Sequence, residues 1–129
     1  MKLKIRLGKS GALSGIRAVL AEEDIKKGET IEVCPVVLIP MSEINNVEKT
    51  VMTKYEFQWD EDNEALVLGY GSLYNHSFEA NIEYELDLEN KTMIFKAKRD
   101  ITTGEELFID YMDGGEGEEI PPEYLDLKH

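Results

Sequence analysis

The stretch LGYGSLYNHSFEANIEY, Leu68 to Tyr84, sets Asn75, His76, Ser77 and Asn81 among aromatic and aliphatic residues and holds one of the two histidines of the chain. Hydrogen-bonding side chains in such surroundings are costly to bury unless each finds a partner. The run is therefore either a surface turn or the lining of a pocket, and the rest of the chain has to decide which.

Downstream, IEYELDL and TMIFKAK alternate apolar with polar residues, as half-buried antiparallel strands do, and turn at Glu89-Asn90-Lys91. Upstream, LKIRLGKS, IRAVLA and TIEVCPVVLI read as strands. YEFQWDEDNEALVLGYG places Tyr55, Phe57 and Trp59 on one side of a strand, a stripe better suited to core packing than to a ligand platform, ahead of an acidic turn from Asp60 to Glu64. Only MSEINNVEKTV has helical character, with Ser42 as its candidate cap. After Tyr111 the composition changes to MDGGEGEEIPPEYLDLKH, in which Gly114 to Glu119 reads as mobile and Tyr124 and Leu125 as a docking end.

Two segments repeat each other. AEEDIKKGETI, Ala21 to Ile31, and AKRDITTGEEL, Ala97 to Leu107, share Ala, Asp-Ile and Gly-Glu at the same offsets. Each has the pattern of a strand, a tight turn with glycine, and a second strand, which predicts two similar β-hairpins bracketing the middle of the chain.

The 129 residues suit one domain with its own core. A single cysteine, Cys34, allows no internal disulfide, and two histidines supply no zinc ligand set, so a metal-free, intracellular protein is expected. No apolar run has the length of a signal peptide core or a membrane span. The 27 acidic against 14 basic residues give a net charge of -13, which argues against a nucleic-acid backbone as main partner and permits a basic polypeptide.

Taken together, the repeats, the NHS run and GEELFIDY resemble the SET domain of protein-lysine methyltransferases, whose pattern runs from a Gly-x-Gly strand through DIxxGExI and NHSCxPN to GEELxxDY. The matching pieces stand in that order from Ser14 to Tyr111. The resemblance implies a mainly β fold of the β-clip kind: small curved sheets with a C-terminal, pseudoknot-like crossing of the NHS and GEEL segments. It implies a SET domain over residues 1–113, with an acidic tail, 114–129, that could close the active site. A minimal domain like the viral and bacterial members is the nearer comparison, because cysteine-rich flanking modules are absent from the sequence.

By the same resemblance the cofactor is S-adenosyl-L-methionine. Asn75 falls where the family meets the amino-acid part of that cofactor, and His76 where a backbone group meets the adenine. Ile16, Arg17 and Ala18 fall on the Gly-x-Gly strand, whose backbone lines the same pocket, and Tyr111 matches the tyrosine whose hydroxyl faces the transferred methyl. Asp110 and Glu105 are expected to fix the crossing, and Ser77 and Asn81 to satisfy backbone groups within it. Ile109, two residues before Tyr111, falls on the substrate channel, where an aliphatic side chain implies addition of more than one methyl group. The implied partner is a basic protein or peptide, histone or other, with no direct nucleic acid and no membrane. The implied location is cytoplasmic, or nuclear in a eukaryote. A homodimer is one alternative for the working unit.

The sequence departs from the family at several points. Ile16 and Ala18 replace both glycines of Gly-x-Gly unless Gly15 serves in a shifted register. Phe78 and Ala80 replace the cysteine and proline of NHSCxPN, and Ser72 replaces an arginine common before the motif. These changes keep a second reading open: a noncatalytic SET-like binding module that retains the fold without the cofactor. Paired hairpins alone would also suit a carbohydrate-binding β-clip domain, but that reading leaves the NHS and Asp-Tyr runs unexplained.

Overall fold

The computed structural model describes residues 2–111. The tail from residue 114, and with it the expected docking of Tyr124 and Leu125, lies outside the described residues. Within them, strands and tight turns dominate. β1 (Ile5–Lys9) and β2 (Arg17–Ala21) form an antiparallel ribbon. β3 (Thr30–Pro40) is the long central strand of a five-stranded sheet in which it is flanked by β5 (Asn63–Val67) and β8 (Thr92–Ala97). β4 (Glu56–Gln58) and β7 (Ile82–Asp87) are its edges. A third, two-stranded sheet pairs β6 (Asn75–His76) in parallel with β9 (Phe108–Ile109). The helical stretch is shorter than its sequence suggests. Only α1 (Ile44–Val47) and a 3-10 turn (Val51–Lys54) form, and Ser42 does not cap α1, because Glu43 holds the cap position without a side-chain bond. Among the described residues no helix is long and apolar enough to cross a membrane.

The two repeats correct the hairpin expectation. Neither folds back on itself; each pairs with the other, 76 positions away. Ile25 and Ile101 exchange both backbone bonds, at 2.8 and 2.7 Å. The Gly28 N–H donates to the Ala97 carbonyl and the Gly104 N–H to the Ala21 carbonyl, both at 2.8 Å. The side chain of Asp24 accepts from the Thr103 N–H at 2.9 Å, and Asp100 accepts from the Lys27 N–H at 2.8 Å. The shared residues thus make the same bonds in both directions, about an approximate two-fold. Gly28 and Gly104 occupy φ values of 84° and 92°, where a side chain would be strained.

The core lies between the five-stranded sheet and the segments that cross over it. Tyr74 and Phe95 are fully buried with ring centres 4.9 Å apart, Tyr84 packs on Phe95, and Phe57 meets Tyr84 edge-on. Trp59 is buried too, so the packing reading holds for these two members of the aromatic stripe. One polar group enters this core. The register of β3 against β8 slips between Thr30 and Glu32, and the bulge turns Ile31 and Glu32 inward together. Glu32 is satisfied there by the Tyr74 hydroxyl at 2.7 Å and the Tyr70 N–H at 3.4 Å.

Candidate active site

The site is made where three chain segments meet: the loop joining β1 to β2, the NHS segment, and the segment that runs through β9 to Tyr111. The loop is wound around Ser10. Its N–H donates to the Ile16 carbonyl at 2.8 Å, its carbonyl accepts from the Gly15 N–H at 3.0 Å, and its hydroxyl oxygen accepts from the Leu13 N–H at 3.0 Å. Ser14 and Gly15 both take positive φ to complete the turn.

The NHS segment arrives through a 3-10 turn (Gly71–Leu73) that must pack closely. A Cβ on Gly71 would fall 2.1 Å from Val67 Cγ1 and 3.1 Å from the Phe95 ring. The Ser72 hydroxyl oxygen accepts from the Val67 N–H at 3.0 Å, which ties the turn to β5. Asn75, 2% exposed, then donates through Nδ2 to the Arg17 carbonyl and to Glu106 Oε2, each at 2.9 Å. Asn81 donates to the Glu106 carbonyl at 2.8 Å and accepts from the Phe108 N–H at 2.8 Å. These polar residues are therefore paired, Asn81 within the crossing and Asn75 in the lining of a cavity, and the question raised by Leu68 to Tyr84 resolves in favour of a pocket.

Asn75, His76 and Ser77 form one side of a cavity of about 580 Å³. Ala12, Leu13, Ser14 and Ile16 of the loop form another, with Phe78 and Tyr111 completing it. The volume lies within the roughly 300–1,000 Å³ of small-molecule sites. Tyr111 is anchored twice: its N–H donates to His76 Nδ1 at 3.0 Å, and its hydroxyl donates to the Tyr74 carbonyl at 2.7 Å. A nitrogen that accepts this N–H carries no proton, so the 3.8 Å approach of Asp110 to the same Nδ1 is a contact with a neutral imidazole. Burial, then the neighbouring Tyr55 and Glu106, push the Tyr111 phenol well above its ordinary value. Burial and the Glu32 carboxylate do the same to Tyr74. Both phenols stay protonated at neutral pH and act as donors.

Of the residues singled out in the sequence, Ile16, Asn75, His76 and Tyr111 share this cavity. Arg17 contributes its carbonyl to Asn75, while Ala18 is fully buried opposite Gly8 in the β1–β2 ribbon and is not among the lining residues. Ile109 is fully buried in the core, its backbone paired with His76. Glu105 does not hold the crossing. It closes its own turn, accepting from the Thr102 N–H and from Arg99 at 3.0 Å. Glu106 is the carboxylate at the crossing, bound to Asn75 and to the Ser10 hydroxyl. No local signal separates two adjacent glutamates; the pairing of Leu20 with Glu106 beside β2 does so. Glu32 was equally hidden, because a bulge brings it inside.

Among the described residues, no Lys, Arg, Asp or Glu lines the cavity. That donor set lacks the cations a nucleotide phosphate would require, and it suits a phosphate-free ligand with apolar and amide-binding parts. Among the described residues no group of three or more His, Cys, Asp or Glu could hold a metal ion.

The mainly β fold of small curled sheets and the cavity at its crossing define a class, and the family model of the SET domain matches residues 17–112. The chain belongs to the SET domain family. Its class is enzymatic, that of the protein-lysine methyltransferases. It is similar to a histone-lysine N-methyltransferase, H3 lysine-37 specific, of Schizosaccharomyces pombe, at 35% identity over 98 residues, covering 75% of this chain and 67% of that one. The crystal structure of a candidate histone methyltransferase of Plasmodium falciparum matches with a TM-score of 0.69 at 36% identity, over 86% of this chain and 95% of that one. The Polycomb Repressive Complex 2 of Chaetomium thermophilum, bound to S-adenosylmethionine, matches with a TM-score of 0.74 at 26% identity. There the likeness covers 88% of this chain and 16% of that one.

Proposed function

We propose that this chain transfers a methyl group from S-adenosylmethionine to the ε-amine of a lysine in a basic segment of a protein, histone or other. The observation that carries the reading is the convergence of Asn75, His76 and Tyr111 on one cavity, in which no charged residue is among the described lining. In this reading Asn75 holds the amino-acid part of the cofactor, the backbone of His76 meets the adenine, and the strand at Ile16, Arg17 and Ala18 backs the pocket. When bound, the cofactor supplies a methyl group on a positively charged sulfur, open to in-line attack by an amine.

The chain's own part is positioning and the exclusion of water. Lysine has an ordinary pKa of about 10.4 and must enter as the neutral amine, which an apolar approach favours by desolvation. Tyr111 is the catalytic residue of the proposal. With its phenol pushed up by burial, it stays protonated and so does not act as a general base. Its hydroxyl proton is committed to the Tyr74 carbonyl, which leaves the oxygen to serve as an acceptor and makes it a fixed electrostatic contact. The protein's net charge of -13 would draw a basic substrate, as would exposed Glu61 and Asp62. Asp60 has a local task as well, accepting from the N–H groups of Asp62 and Asn63.

Titration calorimetry with S-adenosylmethionine and with its demethylated product tests the cofactor; absence of heat with both would favour the noncatalytic module. Methyl transfer to basic peptides should weaken as salt rises, because exposed charges are screened beyond roughly 10 Å at 0.1 M. Ile109, buried and aliphatic, is proposed to leave room for more than one methyl group, and a product that stays monomethylated at long times would contradict this. Residues 1–113 are proposed as the catalytic unit and 114–129 as its closing tail; truncation after 113 should then lower cofactor affinity. An intracellular location, nuclear in a eukaryote, accompanies the reading.

A further inference from the structure

We infer that Glu106 is the positioning residue of the cofactor cavity, orienting Asn75 on one side while bracing the Ser10–Ile16 loop on the other. This rests on the proposed cofactor reading. Asn75 has two amide hydrogens, and both are spent, one on the Arg17 carbonyl and one on Glu106 Oε2. The flipped amide would set its oxygen against two acceptors, so the orientation is decided by these partners and Oδ1 is left for a ligand.

The second oxygen of Glu106 accepts from the Ser10 hydroxyl, and Ser10 is 3% exposed. Ser10 in turn holds Leu13 through its side chain and Ile16 through its backbone, and both of those residues line the cavity. One carboxylate therefore links the two walls, through hydrogen bonds strengthened by its charge. Its backbone is held by the pairing with Leu20, so the side chain has a rigid base. The negative charge also reaches Tyr111, whose phenol it helps to push up.

The test is cofactor affinity measured apart from turnover. In Glu106→Gln, the dissociation constants of S-adenosylmethionine and of its demethylated product should both rise about tenfold or more. The KM for a basic peptide, measured at saturating cofactor, should stay within about threefold of native. Ser10→Ala should produce a smaller rise that adds nothing in the Glu106→Gln background, since both cut the same link. The inference is overturned if Glu106→Gln keeps native cofactor affinity, or if cofactor and peptide binding weaken together in step with a lower Tm. Should Glu106→Gln fail to fold, Ser10→Ala alone decides: unchanged cofactor affinity rejects the link and a selective rise supports it. A native chain that binds neither form of the cofactor would overturn the proposed function itself, a result distinct from native binding that Glu106→Gln leaves intact.

Discussion

Two crossings close this molecule, and they are built differently. Where the repeats meet, the partners are backbone groups and the side chains of Asp24 and Asp100, the backbone bonds and the aspartate caps have counterparts across the approximate two-fold, the Thr103 hydroxyl bond to Asp24 alone lacks one, and the aspartates are exposed. Where β6 meets β9, each bond involves a different polar side chain: Asn75 donates to Glu106, Asn81 accepts from the Phe108 N–H and His76 from the Tyr111 N–H, and among the described residues no second set repeats them. Paired backbone bonds with exposed aspartate caps make a tolerant closure. Single buried ones make a cavity whose shape depends on each member, because an unmade buried hydrogen bond costs far more than an exposed one.

The largest expected effect lies at the second crossing. Tyr111→Phe removes one oxygen and keeps the ring, so methyl transfer should fall about 10²-fold or more while cofactor affinity is retained. Full activity in a labelled-methyl assay would return Tyr111 to a structural role. Asn75→Asp should come next. The new carboxylate would face Glu106 and the Arg17 carbonyl, two acceptors, at the cost of about 2 to 3 kcal/mol in denaturant unfolding and of most cofactor affinity. Native affinity in this variant would mean that the amide orientation does not matter. Gly71→Ala tests the turn that delivers Asn75. Its Cβ would overlap Val67, so a loss of about 1 to 3 kcal/mol is expected, and an unchanged Tm would show that the packing there yields freely.

The last two predictions concern pH, with opposite signs. Burial first, then the neighbouring Glu64, push Glu56 up to about 7 from 4.5. Below about pH 4.5 the group is protonated in both states and its contribution is fully present; as pH rises toward 7 the unfolded chain ionises first and that stability is lost. Glu56→Gln should therefore gain Tm relative to native near neutral pH and lose that advantage in acid, and parallel profiles would refute the coupling. Hydrogen bonds from Thr103 hold Asp24 below its ordinary value. Its contribution is present above the unfolded pKa of 3.8 and disappears as pH falls through the folded one. Asp24→Ala and Asp100→Ala should each lower Tm slightly, Asp24→Ala by a little more because it also loses the Thr103 hydroxyl bond. A large gap between them would break the two-fold likeness of the first crossing.

Local chemistry in the sequence determined much of this. The alternation of IEYELDL and TMIFKAK and the glycines of the two repeats each state a strand or a turn from a few adjacent residues, because side-chain period and positive φ are local properties, while the polar run at Asn75 by itself left a surface turn and a pocket equally open. The repeats even announced a shared role, although not that their partner was each other. Only the tertiary structure decided what depends on register between distant strands. It turned Glu32 into the core through a bulge, set Ala18 behind the ribbon, left Glu105 in its own turn, and brought Glu106 between Ser10 and Asn75. A carboxylate next to another in sequence has the same local signal, and only pairing across β2 selects which one is enclosed with a partner.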